Sequence, residues 1–220
     1  MSRFDKAVFF DFDGTITVRD CFMDTLRRQA PETYAEVVPE FIAGRVTLRD
    51  GLKQILAAIP QDRLPEMVEC ARGFEHRPGF VELLDYLDGI GAAALVVSSG
   101  LEAMVRASLG PLAERFVEIH AATVDPEAPN LLASSPFESE QELIAKAEVL
   151  KAFGAKHNAV IGDSITDRHI AKLADHVFAR DRLVEYCTKD GVCFHPFEDF
   201  FEVKGKLVEV WGDESVTPTA

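Results

Sequence analysis

Three short apolar runs punctuate the chain: AVFF (7–10), AAALVV (92–97) and the AVI that closes HNAVI (157–161). None alternates with polar residues, which is the pattern of strands buried on both faces of a parallel sheet. Each run stops at polar, turn-forming residues: DFDGT (11–15), Ser98-Ser99-Gly100 and Gly162-Asp163-Ser164. From about residue 20 to 73 the period changes. Apolar residues recur three and four apart at Phe22 and Leu26, at Val37, Val38 and Phe41, and at Leu48, Leu52, Ile55 and Leu56. This predicts a small helical bundle, with Thr47 as an N-cap and Pro31 and Pro60 as punctuation. A further helix is predicted to begin at Arg77-Pro78-Gly79, with Pro78 in its first turn and Gly89 and Gly91 closing it. Helices follow around Met104, Val105 and Leu109, over 140–153 before Gly154, and over 197–211. Residues 116–133 read as strand-like and turn-rich.

Strands alternating with helices give an α/β fold, a Rossmann-like, mostly parallel sheet core, with a helical-bundle cap inserted after the first strand. The expected division is a catalytic core of 1–16 and 77–211, a cap of 17–76 and a disordered tail of 212–220. Ligand sites of open parallel sheets lie beyond the carboxyl ends of the strands. The three polar clusters, around Asp11 and Asp13, Ser98, and Asp163, are therefore expected to meet at one edge.

Composition narrows the partners. The net charge of −14 argues against nucleic acid and against an anionic membrane surface, both of which call for basic patches. Hydrophobic residues make up 47% of the chain, enough for a packed core, yet no apolar stretch approaches a membrane span of about 18 residues. The N-terminal apolar run is too short for a secretion signal. Cys21, Cys70, Cys187 and Cys193 form no CxxC pair and lack clustered histidines. They are expected to be reduced, mostly buried thiols of a cytoplasmic protein. The six histidines are scattered, and no histidine metal site is expected. The Phe-rich end, with Phe194, Phe197, Phe200 and Phe201, reads as core.

Asp11 and Asp13 stand two apart at a strand end, so both side chains point the same way. Carboxylates this close do not both ionise freely, and one is pushed towards its protonated form. That split suits a nucleophile beside a proton carrier, although Asp-Gly is also a common turn. Ser98, with Ser99 and Gly100, offers a hydroxyl and backbone N–H groups suited to phosphate, or simply a helix cap. Asp163 and Asp167 in GDSITD offer hard oxygens of the kind Mg²⁺ prefers, or the acidic start of a helix. A phosphate dianion beside three carboxylates and a divalent cation leaves net negative charge. One lysine is therefore wanted nearby, with Lys146 and Lys151 as the two candidates.

In this order, DFDGT (11–15), the strand ending in Ser98, Lys146 and IGDSITD (161–167) resemble the haloacid dehalogenase superfamily of phosphatases. The helical insert after the first motif resembles its phosphoserine-phosphatase-like branch. Longer stretches, DFDGTITVRD (11–20), AKLADHVFARDRL (171–183) and HPFEDFFEV (195–203), resemble the methionine-salvage phosphatases within that branch. The resemblance implies Asp11 as nucleophile and Asp13 as acid/base. It implies Mg²⁺ held by Asp11, the backbone carbonyl of Asp13 and Asp163, with Asp167 supporting that shell. Ser98, Ser99, Gly100 and Lys146 would hold the phosphate of a small phosphorylated metabolite. The pattern departs at Ser99, where such enzymes usually carry glycine, and before Lys146, where some relatives are cysteine-rich.

Arg19, Asp20 and Arg45 of the insert are the candidate contacts to the non-phosphate end of a substrate. Arg77 stands at the second crossing between insert and core. Phosphoserine hydrolysis, phosphoryl transfer to another acceptor, and a non-catalytic binding module on the same fold are the competing readings. The oligomeric state is not legible in the sequence.

Overall fold

The computed structural model describes residues 4–212. Of the tail expected to be disordered, only Gly212 lies among the described residues; it caps the last helix and its carbonyl accepts from the Tyr86 hydroxyl at 2.7 Å. In chain order the elements are β1 (Lys6–Phe10), α1 (Cys21–Gln29), α2 (Pro31–Ile42), α3 (Leu48–Ala57), α4 (Leu64–Ala71), α5 (Phe80–Gly89) and β2 (Ala93–Leu101). Next come α6 (Glu102–Leu109), β3 (Glu118–Val124), β4 (Ala133–Ser134), α7 (Lys146–Phe153) and β5 (His157–Gly162). Last are α8 (Arg168–Ala171), β6 (His176–Ala179), α9 (Asp181–Asp190), β7 (His195–Pro196) and α10 (Phe200–Trp211).

The strands form one sheet in the order β4-β3-β2-β1-β5-β6-β7, and every pairing is parallel except β3 with β4. Strand period two explains why the apolar runs lack alternation. On β1, Val8 and Phe10 enter a core shared with α5 and α10, while Ala7 and Phe9 enter a second core under α7 and α8. Burying a Phe or Val side chain on either face contributes about 1.5–3 kcal/mol. The chain departs to the two sides of β1, towards β2 on one and β5 on the other. The crevice at their carboxyl ends is therefore the topological switch point.

The insert forms as its periodicity predicts. Leu26, Ile55, Leu56 and Met67 close a third core, and Thr47 caps α3 by accepting from Asp50 N. This core also takes in Leu101, Met104 and Leu131, so the helices of the insert pack on the outer end of the sheet. The two crossings pair with each other: Thr17 bridges His76, and Val18 N donates to Glu75 O.

Several boundaries differ from expectation. α5 starts at Phe80, because Gly79 at φ 79 is its N-cap and Pro78 stays outside. α10 starts at Phe200, where the Asp199 side chain accepts from Glu202 N. α7 starts at Lys146 rather than 140. Ser139 Oγ accepts from Gln141 N and Glu142 N, and Ala145 N donates to Phe137 O, so local turns consume the N–H groups that a longer helix needs. β2 runs on past the expected end through Ser98 to Leu101. The thiols are free, but not mostly buried: Cys187 is buried, Cys21 is half-buried, and Cys70 and Cys193 are exposed. No described helix is long and apolar enough to cross a membrane. In the Phe-rich end, Phe197 and Phe200 are core while Phe201 is half-exposed.

Candidate active site

β1 delivers Asp11 to the crevice, and Asp11 N still donates to Ile161 O as an extension of the ladder. The chain then turns sharply through Gly14, whose φ of 81 suits glycine. A Cβ at Gly14 would also collide with Asp163 Oδ2, so the turn requires a missing side chain twice over. Thr15 Oγ1 lies 3.3 Å from both Asp11 Oδ2 and Asp163 Oδ1, joining the first cluster to the third.

On β2 the register against β3 jumps from Val97↔His120 to Leu101↔Ala122. Ser98, Ser99 and Gly100 therefore bulge out of the ladder, which aims their polar groups at the crevice. Ser98 is buried, and its Oγ accepts from Gly100 N at 3.0 Å, leaving its own proton free to donate. Ser99 Oγ is buried without a hydrogen-bond partner.

Lys146, the first residue of α7, is buried between two carboxylates. Its ammonium donates to Asp11 Oδ1 at 2.5 Å and to Asp167 Oδ1 at 2.7 Å. Burial alone would depress its pKa, but those two carboxylates outweigh burial and hold the group cationic. Lys151, the alternative, is exposed and pairs with Glu148. Asp167 spends its second oxygen on Asp163 N and Ser164 N, both at 3.1 Å, so it organises the loop that follows β5. Gly162 has no room for a Cβ against Asp167.

Two carboxyls are pushed up. Asp13 is raised well above the usual carboxylate range by burial, then by the charges of Asp20 and Asp11, although Phe22 N donates to its Oδ1 at 2.9 Å. Asp163 is pushed up to about 10, chiefly by burial and by Asp11. It forms no salt bridge among the described residues, and the charge of Lys146 is the smallest of the influences on it. Oxygens of Asp11, Asp163 and Asp167 lie within 4.8 Å of one another. An uncompensated carboxylate beside a second one, in a turn kept open by Gly14, fits a small hard cation.

A cavity of about 360 Å³ opens above this cluster. Asp11, Asp13, Asp163, Ser98, Ser99 and Gly100 line its core side, and Asp20 joins them from the insert. Asp20 also caps α1 by accepting from Met23 N. Arg19 and Arg45 do not line the cavity. Arg19 offers its carbonyl to Gly14 N and Thr17 Oγ1, and Arg45 is exposed and paired to Glu40 at 2.6 Å. Apart from Asp20 and Tyr34, the insert's share of the wall is apolar, with Met23, Val38, Phe41, Ile42, Leu48 and Leu52 among it.

Arg77 is buried, and its guanidinium donates to the carbonyls of Gly14, Thr15, Thr17, Val18 and Glu198 at 2.7–3.4 Å. It braces the Asp11–Asp13 turn and both crossings at once. The sequence assigns no role to Thr15, although it sits inside DFDGT, nor to Arg182, although it lies within AKLADHVFARDRL (171–183).

The family model for haloacid dehalogenase-like hydrolases matches residues 8–172. The chain is 34% identical over 205 residues to the 2-hydroxy-3-keto-5-methylthiopentenyl-1-phosphate phosphatase of Microcystis aeruginosa, covering 92% of this chain and 98% of that protein. It is 29% identical over 208 residues to the protein of the same name from Bacillus thuringiensis, covering 91% of this chain and 94% of that one. Among solved structures, a phospho-aspartyl intermediate analogue of phosphoserine phosphatase superposes with a TM-score of 0.69 at 18% identity, covering 93% of this chain and 99% of that one. At that identity the likeness is one of fold.

Proposed function

The chain belongs to the haloacid dehalogenase-like hydrolases, and from that premise we propose that it hydrolyses a small phosphorylated metabolite, 2-hydroxy-3-keto-5-methylthiopentenyl-1-phosphate, through a phospho-aspartyl intermediate on Asp11. The observation that carries this reading is the division of labour between two aspartates. Asp11 lies 2.5 Å from a lysine held cationic, while Asp13 is held towards its neutral form.

Asp11 attacks phosphorus with a carboxylate oxygen. Lys146 fixes the orientation of that carboxylate and adds positive charge beside the transferring group. Asp13 gives its proton to the leaving oxygen. The resulting carboxylate then takes a proton from the water that hydrolyses the acyl phosphate. The Ser98 and Ser99 hydroxyls donate to phosphoryl oxygens, with Gly100 N holding Ser98 Oγ in place, and the unpartnered Ser99 Oγ finds its acceptor there. Asp11, Asp163 and the Asp13 carbonyl are the residues that would hold Mg²⁺, with Asp167 and Lys146 behind them. When bound, the ion neutralises phosphoryl charge and the buried Asp163 carboxylate.

The substrate assignment rests on the relatives of that name and on the largely apolar insert side of the cavity, which suits a thioether tail. Phosphoserine carries an amino and a carboxylate group, and the insert supplies Asp20 but no arginine to the cavity wall. The Asp20 and Arg45 pair that would recognise it is split, since Arg45 is committed to Glu40. Rates on the methylthiopentenyl phosphate and on phosphoserine, measured side by side with Mg²⁺, test the assignment. A preference for phosphoserine would overturn the substrate while leaving the chemistry.

A further inference from the structure

Five aspartates line the cavity: Asp11, Asp13, Asp20, Asp163 and Asp181. The chain as a whole carries a net charge of −14. Those of the five that are ionised, together with the acidic chain, oppose an approaching phosphate dianion. Among the described residues, one cationic side chain lines the same cavity: Arg182, on the first turn of α9.

The placement of Arg182 is set by its neighbours. Arg180 N donates to Gly162 O at 3.2 Å, and Leu183 N donates to Asp163 O at 2.9 Å. The backbone on both sides of Arg182 is therefore tied to the loop that carries Asp163. Between those tethers Asp181 takes φ 43, the one positive φ at a non-glycine among the described residues. Backbone strain of this kind persists where surrounding structure holds it in place, and it gathers at functional sites.

The side chain of Arg182 is left available. Asp181, the nearest carboxylate in sequence, is taken by Arg180 Nε at 2.9 Å. Arg182 is exposed, and its guanidinium makes a single long bond, 3.4 Å, to the Tyr186 hydroxyl one turn further on. Arg168 and Arg45, by contrast, hold carboxylates with two bonds each. No ion pair has to break before Arg182 meets an anion. A guanidinium offers the paired donors that match phosphate oxygens.

We propose that Arg182 is a substrate-binding residue that draws the dianionic phosphate group of an ester into this cavity and holds it on the exposed side. This rests on the hydrolase reading above. It adds an anion-recruiting cation, supplied by the sheet side rather than the insert, to a site otherwise walled by carboxylates. Local positive charge at an acidic cleft acts on capture more than on chemistry, and it weakens with salt.

The test compares wild type with Arg182→Gln, Arg182→Lys and Arg106→Gln. Arg106 is exposed, pairs with Glu102 and does not line this cavity, so its variant controls for net charge. With Mg²⁺ present, 4-nitrophenyl phosphate turnover and calorimetric binding of inorganic phosphate are read at low and at high salt. Arg182→Gln is expected to raise KM and weaken phosphate binding about fivefold at low salt, with kcat changed less than about twofold. Arg182→Lys restores most of the loss, high salt shrinks it, and Arg106→Gln stays at wild type. Arg182→Gln indistinguishable from wild type or from Arg106→Gln overturns the proposal. If wild type binds phosphate more tightly than Arg182→Gln but hydrolyses nothing, the reaction is wrong and Arg182 stands. A wild type that neither hydrolyses nor binds phosphate contradicts both.

Discussion

The ammonium of Lys146 meets Asp11 Oδ1 at 2.5 Å across 135 residues of sequence, joining the start of α7 to the end of β1. Both groups are buried, and Asp167 completes the set on the other side. Removing one partner of such a buried ionic cluster costs about 3–5 kcal/mol because it leaves charge unpaired. Lys146→Met is expected to lose about that much unfolding free energy in urea, and to lose phosphate release about a hundredfold or more. Lys151→Gln, which breaks only an exposed pair, is expected to change neither by a measurable amount.

Asp163 has the opposite problem, a carboxylate without a salt bridge among the described residues. In metal-free protein its charge is unfavourable, so Asp163→Asn is expected to melt a few degrees higher than wild type, about 1 kcal/mol by the usual conversion for a chain of this size. Added Mg²⁺ reverses the order: wild type gains melting temperature and Asp163→Asn does not. Scanning calorimetry with and without chelator reads both halves. A metal-free variant less stable than wild type would count against the site as a cation site.

Arg77 donates to five carbonyls from a buried position, and four of them lie on residues 14–18. Arg77→Met leaves those acceptors unpaired and is expected to cost about 3 kcal/mol of stability, with a further fall in kcat because the Asp11–Asp13 turn loosens. Arg77→Lys recovers part of each. Denaturant unfolding alongside turnover separates the two effects.

His76 pairs with Thr17 across the crossings, and its Nε2 sits 3.0 Å from Ser108 Oγ. Burial lowers its pKa below the usual 6.5. The folded state therefore prefers the neutral ring, and this stability is complete above the unfolded pKa. It is lost as pH falls through 6.5 towards the lower folded value. Wild type is expected to lose up to about 1 kcal/mol more than His76→Gln between roughly pH 7.5 and pH 5.5. Parallel acid-side slopes for the two proteins would contradict the burial argument.

The sequence made the meeting of strand ends legible because apolar runs without alternation demand a doubly covered sheet, and Asp11, Ser98 and Asp163 each stand directly after one. It left Lys146 and Lys151 as alternatives and placed Lys146 inside a longer helix, whereas Lys146 begins α7 and meets Asp11 and Asp167. Ser139 and its turn, not periodicity, decide where α7 starts. Side-chain direction was the part that stayed hidden. Arg45 turns back to Glu40, five residues earlier, and Arg19 contributes its backbone rather than its charge. Arg182 lies within the stretch 171–183 that resembles the family, but its place at the cavity depends on tethers to Gly162 and Asp163 and on the unusual backbone of Asp181. The face of the insert that lines the cavity likewise becomes visible only once α1, α2 and α3 are packed.

The most direct test of the central claim is capture of the covalent intermediate. Wild-type protein with Mg²⁺ and a phosphorylated substrate, quenched in acid during turnover, is analysed by intact and peptide mass spectrometry. The account predicts one added phosphoryl group on the peptide that carries Asp11, absent in Asp11→Asn, which also releases no phosphate. Turnover that persists in Asp11→Asn, or a phosphoryl group found on another residue, would contradict it.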